Sequence, residues 1–136
     1  YAHYGKLATI VDDKKASDGK TARMPCDHYE WAVTYFFSAD LAKSGPWRCY
    51  VVARCEASGD GKAMTMGIYD IKARKSVSYK ALAVKDFGGK DYQVFDLGTH
   101  KLHDRMYVWC APAKRPGEVQ AVYVDRFYLV REKGKK

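Results

Sequence analysis

Apolar and polar residues alternate with a period of two along most of the chain, and no stretch spaces its apolar positions as an amphipathic helix would. The alternating runs predict strands over 7–12, 20–24, 28–37, 47–56, 63–69, 76–82, 92–97, 106–110 and 118–131. Clusters of Gly, Ser, Asp and Pro separate them at 17–19, 44–46, 58–61, 88–89 and 115–117, and 38–43 has room for one helical turn. About nine short strands joined in this way predict an all-β fold, a β-sandwich of the jelly-roll kind.

Facing decides which side chains remain once the core is filled. In 47–56 the small apolar residues Cys49, Val51, Ala53 and Cys55 share one face, with Arg48, Tyr50 and Arg54 opposite. In 106–110, Met106, Val108 and Cys110 repeat that character, which turns Tyr107 and Trp109 outward. His28, Glu30 and Thr34 oppose Trp31, Val33 and Tyr35, and Tyr69 opposes Met64, Met66 and Ile68. The surplus face therefore collects His28, Glu30, Arg48, Tyr50, Arg54, Tyr69, Tyr107 and Trp109. Aromatic rings stack on the C–H face of a pyranose, and planar polar groups bind its hydroxyls in pairs, so this set suits a sugar. The competing expectation is a pairing of Glu30 with Arg48 or Arg54 across strands, the rings merely covering the sheet.

The last run carries a charge in its middle. Strict alternation puts Val122, Val124 and Tyr128 on one side and Tyr123, Asp125, Phe127 and Leu129 on the other. A carboxylate among such neighbours needs a hydrogen-bonding partner, a cation or a metal, since burying it alone costs several kcal/mol. Backbone N–H groups, an arginine and a structural cation are the candidates.

The chain has 136 residues, enough for one domain with a real core, expected over 1–132 with a charged tail at 133–136. Tyr1 stands where a methionine would open a full-length chain, so the sequence reads as a piece of a longer or processed protein. No run is apolar enough to span a membrane. The net charge of +8 is spread along the chain; it favours acidic partners in general. With neither a helix-turn-helix pattern, zinc-finger spacing nor an Arg-rich arm, no nucleic-acid partner is expected. Cys49 and Cys55 lie about 20 Å apart along an extended strand and cannot bond each other. Free buried thiols are expected, with a bond from either to Cys26 or Cys110 left open. Catalytic signatures are absent: no G-x-S-x-G, no H-E-x-x-H, no phosphate loop, and Glu30 as the one acid on the open face where a glycosidase needs two. His100 and His103 read as an exposed loop.

Residues 11–20 read VDDKKASDGK and residues 122–130 read VYVDRFYLV. The first resembles the D-x-x-A-S-x-G-K opening of family 6 and 35 carbohydrate-binding modules, and the second resembles their closing I-D-x-I-x-L strand. The middle, with HYEWAV at 28–33, is similar to the C-terminal β-sandwich domains of large bacterial glycan-degrading enzymes. The resemblance implies a non-catalytic domain holding a poly- or oligosaccharide, acidic ones included. It would be monomeric in isolation and covalently linked to a catalytic domain of a bacterial enzyme that is secreted, periplasmic or at the cell surface. It implies sugar contacts at Trp47, Arg48, Tyr50, Tyr107, Trp109, His28 and Glu30, with loop candidates at Trp47 and His100. It also implies a structural calcium on Asp125, with Asp12, Asp13 or Asp18 replacing the family's opening Glu-x-Glu, which residues 1–6 lack. The alternative is a structural β-sandwich docked on its catalytic neighbour through the exposed rings.

Overall fold

The computed structural model describes residues 8–28, 30–114 and 118–132. The turn at 115–117, the opening residues 1–7 and the tail at 133–136 lie outside the described residues.

Among the described residues nine strands form: β1 (Thr9–Asp12), β2 (Lys20–Pro25), β3 (Val33–Phe36), β4 (Trp47–Ala57), β5 (Lys62–Asp70), β6 (Lys75–Ala83), β7 (Gln93–His100), β8 (Met106–Pro112) and β9 (Val119–Arg131). Two 3-10 turns, Ala39–Lys43 and Val84–Phe87, are the helical content among the described residues. The strands make a five-stranded sheet ordered β1-β2-β9-β4-β7 and a four-stranded sheet ordered β3-β8-β5-β6. Every pairing is antiparallel. The fold is the all-β sandwich that the alternation predicts.

Small and flexible apolar side chains fill the space between the sheets. Cys49, Val51 and Ala53 of β4, Met64, Met66 and Ile68 of β5, and Val108 of β8 are fully buried, as their period-two spacing requires. Met24 and Met106 join them, so all four methionines pack in the core, where an unbranched thioether adapts to gaps between two twisted sheets. All four cysteines are free and buried. Cys26, at the end of β2, and Cys55, on β4, stand on either side of β9, two strand spacings or roughly 9.5 Å apart, beyond disulfide reach. Cys49 and Cys110 belong to different sheets, whose backbones pack about 10 Å apart. Burial pushes the Cys26 and Cys49 thiols up to about 12, so they are inert core residues.

In β9 an irregularity overrides strict alternation. The pairing of β4 with β9 shifts between Val52 and Ala53: Val52 faces Arg126 and Ala53 faces Val124, which leaves Asp125 as an extra residue in a bulge. The bulge resets the phase, so Phe127 and Leu129 pack against the core together with Val122 and Val124, and Tyr128 turns outward. The predicted separation of these residues onto two faces is thereby corrected. The predicted strand over 28–37 shortens to β3, and Trp31 lies before it, outside any ladder.

Candidate functional site: an aromatic outer face

On β8, inward Met106, Val108 and Cys110 leave Tyr107 and Trp109 on the outer face of the four-stranded sheet. The register then aligns their neighbours. Tyr107 sits between Phe36 on β3 and Tyr69 on β5, and Trp109 sits opposite Gly67, which in turn faces Tyr79 on β6. The rings interlock: Phe36–Tyr107 centroids are 5.0 Å apart, Tyr69–Tyr107 5.8 Å and Tyr79–Trp109 6.0 Å.

Gly67 makes the arrangement possible. A Cβ there would stand 2.4 Å from the Ser78 carbonyl oxygen and 3.0 Å from Cζ2 of Trp109, so the indole lies down across bare backbone. Trp31 closes over it as a parallel stack, with centroids 4.0 Å apart and planes 1° from parallel. Its edges meet Tyr69 and Tyr107 at 6.0 Å each. Trp109 is consequently 1% exposed, whereas Trp31 keeps 37%, Phe36 55% and Tyr79 60%. The Trp109 Nε1–H has no hydrogen-bond partner among the described residues. Burial, and then the neighbouring Tyr69, push the Tyr107 hydroxyl above its usual range, which keeps it a neutral donor.

The other half of the expected sugar face stands elsewhere. Arg48, Tyr50 and Arg54 belong to β4, in the five-stranded sheet, so they emerge on the opposite outer face of the sandwich from Tyr69, Tyr107 and Trp109. Alternation tells inside from outside within one strand; it does not say which of two sheets that strand joins. Arg48 is held by Asp96 at 2.9 Å and by Glu132 at 3.2 Å, and Tyr50 stacks on Tyr128 at 4.9 Å. Arg54 donates to Asp13 from Nε (2.9 Å) and Nη2 (2.8 Å), and its guanidinium lies 3.8 Å from the Tyr123 ring centroid. The Tyr92 hydroxyl donates to the same Asp13 oxygen at 2.7 Å. Burial pushes the Asp13 carboxyl up, but the bonds from Tyr92, the Lys15 amide and Arg54 outweigh it and hold the carboxyl below its usual range. These arginines are thus bound to aspartates, and the expected pairing with Glu30 is replaced.

His28 and Glu30 lie in the segment leading into β3, where the Glu30 amide donates to His28 Nδ1 at 3.1 Å. Trp47 opens β4 and its ring packs against the core, with Nε1–H shared between the carbonyls of Leu41 (3.1 Å) and Ser44 (2.9 Å). Its ring also fills the space beside Gly45, whose φ of +132° suits glycine. His100 donates from Nε2 to the Leu97 carbonyl at 2.8 Å. Sequence reasoning missed Trp31, Phe36 and Tyr79 as site residues. Trp31 has no strand phase to read, but the isolated Gly67 inside a strand pattern was a usable sign of close approach.

The acidic residues proposed for a cation are dispersed. Both Asp125 oxygens accept from the Ser17 amide, at 3.1 and 3.2 Å, and Oδ1 also accepts from the Ser17 hydroxyl at 3.1 Å. Asp12 pairs with the Lys20 ammonium at 2.8 Å, and Asp18 accepts from the Lys20 amide at 3.1 Å. Among the described residues no group of three or more His, Cys, Asp or Glu side chains converges, so these carboxylates do not by themselves assemble the ligand set of calcium. Of the partners open to Asp125, backbone and hydroxyl donors are the ones observed.

The two-sheet antiparallel sandwich is a fold shared with several solved structures. The chain superposes on the CBM22-1 xylan-binding domain from Paenibacillus barcinonensis Xyn10C with a TM-score of 0.62 at 10% identity, covering 99% of this chain and 86% of that one. For the C-terminal family 22 carbohydrate binding module of Clostridium thermocellum Xyn10B the TM-score is 0.54 at 14% identity, over 95% of this chain and 88% of that one. The arabinose-bound MgGH51 α-L-arabinofuranosidase matches with a TM-score of 0.58 at 10% identity over 95% of this chain. The match spans 22% of that enzyme's chain. At these identities the likeness establishes a common fold. No protein-family model matches the sequence, and no curated protein matches it significantly.

Proposed function

We propose that the chain is a non-catalytic carbohydrate-binding domain that holds a polysaccharide on the outer face of the four-stranded sheet. The observation that carries this reading is the Trp31–Trp109 stack flanked by Tyr107, Tyr69, Phe36 and Tyr79. Buried Trp109 fixes the plane of exposed Trp31, so the outer ring is pre-oriented and little is lost in ordering it when a pyranose stacks. Tyr79 and Tyr107 bring hydroxyls to the same surface. The fold neighbours support the reading, since one is a xylan-binding domain and another is a segment of an arabinofuranosidase chain. In the same proposal this domain accompanies a glycan-active catalytic domain outside the cell, which it keeps near insoluble substrate.

An open platform with few polar contacts binds weakly, on the order of 10 μM to 1 mM. Isothermal titration with soluble xylan and other plant polysaccharides tests it: wild type binds without releasing reducing ends, and Trp31→Ala weakens binding at least about tenfold. Equal binding by Trp31→Ala refutes the platform. If wild type binds no glycan, docking becomes the better account. It is favoured by an apolar stripe on the opposite outer face, where Val94 is 55% and Val130 45% exposed around the Tyr50–Tyr128 stack.

A further inference from the structure

The aromatic half of this outer face ends in a step. Next to the Tyr79–Gly67–Trp109 row stands a row of small residues, Ala81, Thr65 and Ala111, aligned across β6, β5 and β8. Beyond the step lies a groove of about 530 Å3, lined by Ala81 and Ala83 of β6, Asp60 in the turn before β5, Lys62 at its start, and Lys85 and Asp86 of the following 3-10 turn. Its floor is small and apolar, and its rim carries two ammonium groups and two carboxylates. Asp86 Oδ2 accepts from the Ala83 amide at 2.8 Å, which fixes the turn. Asp60, Lys62 and Lys85 have no side-chain partner among the described residues.

We propose that this groove is a second glycan subsite, continuous with the aromatic platform, and that it takes an uncharged sugar unit. The inference rests on the platform reading and adds to it the length and charge of the ligand. Ammonium donors and carboxylate acceptors side by side match the hydroxyl pairs of a neutral sugar. A uronate placed there meets the Asp60 and Asp86 carboxylates as closely as the lysines. The charges that line the groove balance, two lysines against two aspartates, and charges more than about 8 Å away are largely screened at physiological salt. The local balance therefore selects against acidic glycans, opposite to what the net charge of +8 suggests. Tyr79 and Ala83 are four residues apart on one strand, about 13 Å, so one ligand reaches both sites only as an oligosaccharide.

The test is calorimetric titration with neutral xylo- and cello-oligosaccharides of increasing length, and with oligogalacturonides of matched length at low and high salt. In wild type, affinity for neutral ligands rises roughly tenfold once the chain spans both sites. In the Asp60→Ala, Lys62→Ala double variant, changed at two exposed positions, that gain falls about fivefold or more, as expected for losing hydrogen bonds to charged groups. Binding of the shortest ligand is unchanged. A melting curve matching wild type confirms the fold. The proposal is overturned if the variant keeps the full gain, or if oligogalacturonides bind more tightly than neutral ligands at high salt. No binding of any glycan by wild type overturns the platform reading and the groove with it. Binding sensitive to Trp31→Ala but indifferent to length overturns the groove alone.

Discussion

Gly67→Ala tests the packing on which the platform depends. The new methyl would stand 2.4 Å from the Ser78 carbonyl oxygen, about 1 Å inside an ordinary contact, and 3.0 to 3.2 Å from the Trp109 ring. The carbonyl belongs to the backbone of β6, at the edge of its sheet, and the ring is clamped under Trp31. Neither is the free end of a flexible side chain, so relief requires β6 to move out or the Trp31–Trp109 stack to lift. Overpacking of this kind costs about 1–3 kcal/mol. Replacing glycine in a strand returns some 0.5–1 kcal/mol of backbone entropy, so the net loss is about 1–2 kcal/mol. For a domain of this size that lowers Tm by about 4–10 °C. Urea titration followed by far-UV circular dichroism measures the loss, and near-UV circular dichroism follows the stacked indoles. An unchanged midpoint with an unchanged near-UV spectrum would refute the close approach of Trp109 to β5.

Other perturbations separate structure from binding. Trp109→Ala should destabilise the fold by about 3–5 kcal/mol in urea titration, because the ring is buried; Trp31→Ala should cost about 1 kcal/mol while weakening glycan binding, and equal stability losses would contradict the two-layer arrangement. Asp13→Asn should cost about 2–4 kcal/mol by the same titration, since it leaves the Arg54 guanidinium without its carboxylate in a largely enclosed site. Asp13 is held below the usual carboxylate range, so its contribution is present above about pH 4 and lost as pH falls through its lower native value; the acid limb of a stability profile should be shallower in Asp13→Asn. Burial pushes Tyr92 up to about 12, as it does Cys26 and Cys49, so these groups ionise more readily in the unfolded chain. Their contribution is complete below about pH 8 and lost as pH rises toward 12, with a slope up to about 1.4 kcal/mol per pH unit for each group; a flat alkaline limb would contradict their burial. Chelator should leave the melting temperature unchanged, because Asp125 is satisfied by Ser17, whereas Ser17→Gly should lower it by about 1 kcal/mol equivalent; a fall with chelator would restore the cation.

By itself the sequence determined that the chain would be a two-layer antiparallel β-protein, and which residues of β4, β5 and β8 point inward. Those are consequences of a period-two pattern that is local to each strand: Cys49, Val51 and Ala53, or Met64, Met66 and Ile68, need no partner strand to declare a face. It also showed that Asp125 required a partner. The sheet to which each strand belongs was decided by long-range pairing, which no local period encodes. For that reason Arg48 and Arg54 of β4 and Trp109 of β8, all outward by alternation, came to lie on opposite sides of the sandwich. The bulge at Asp125 was decided by the match of β9 to β4, and one extra residue brought Phe127 and Leu129 onto the same inner face as Val122 and Val124, from which strict alternation separates them. Trp31 was placed by tertiary contact alone: outside any ladder, it found its position on the flat ring of Trp109, which in turn lies flat because Gly67 on a neighbouring strand has no side chain.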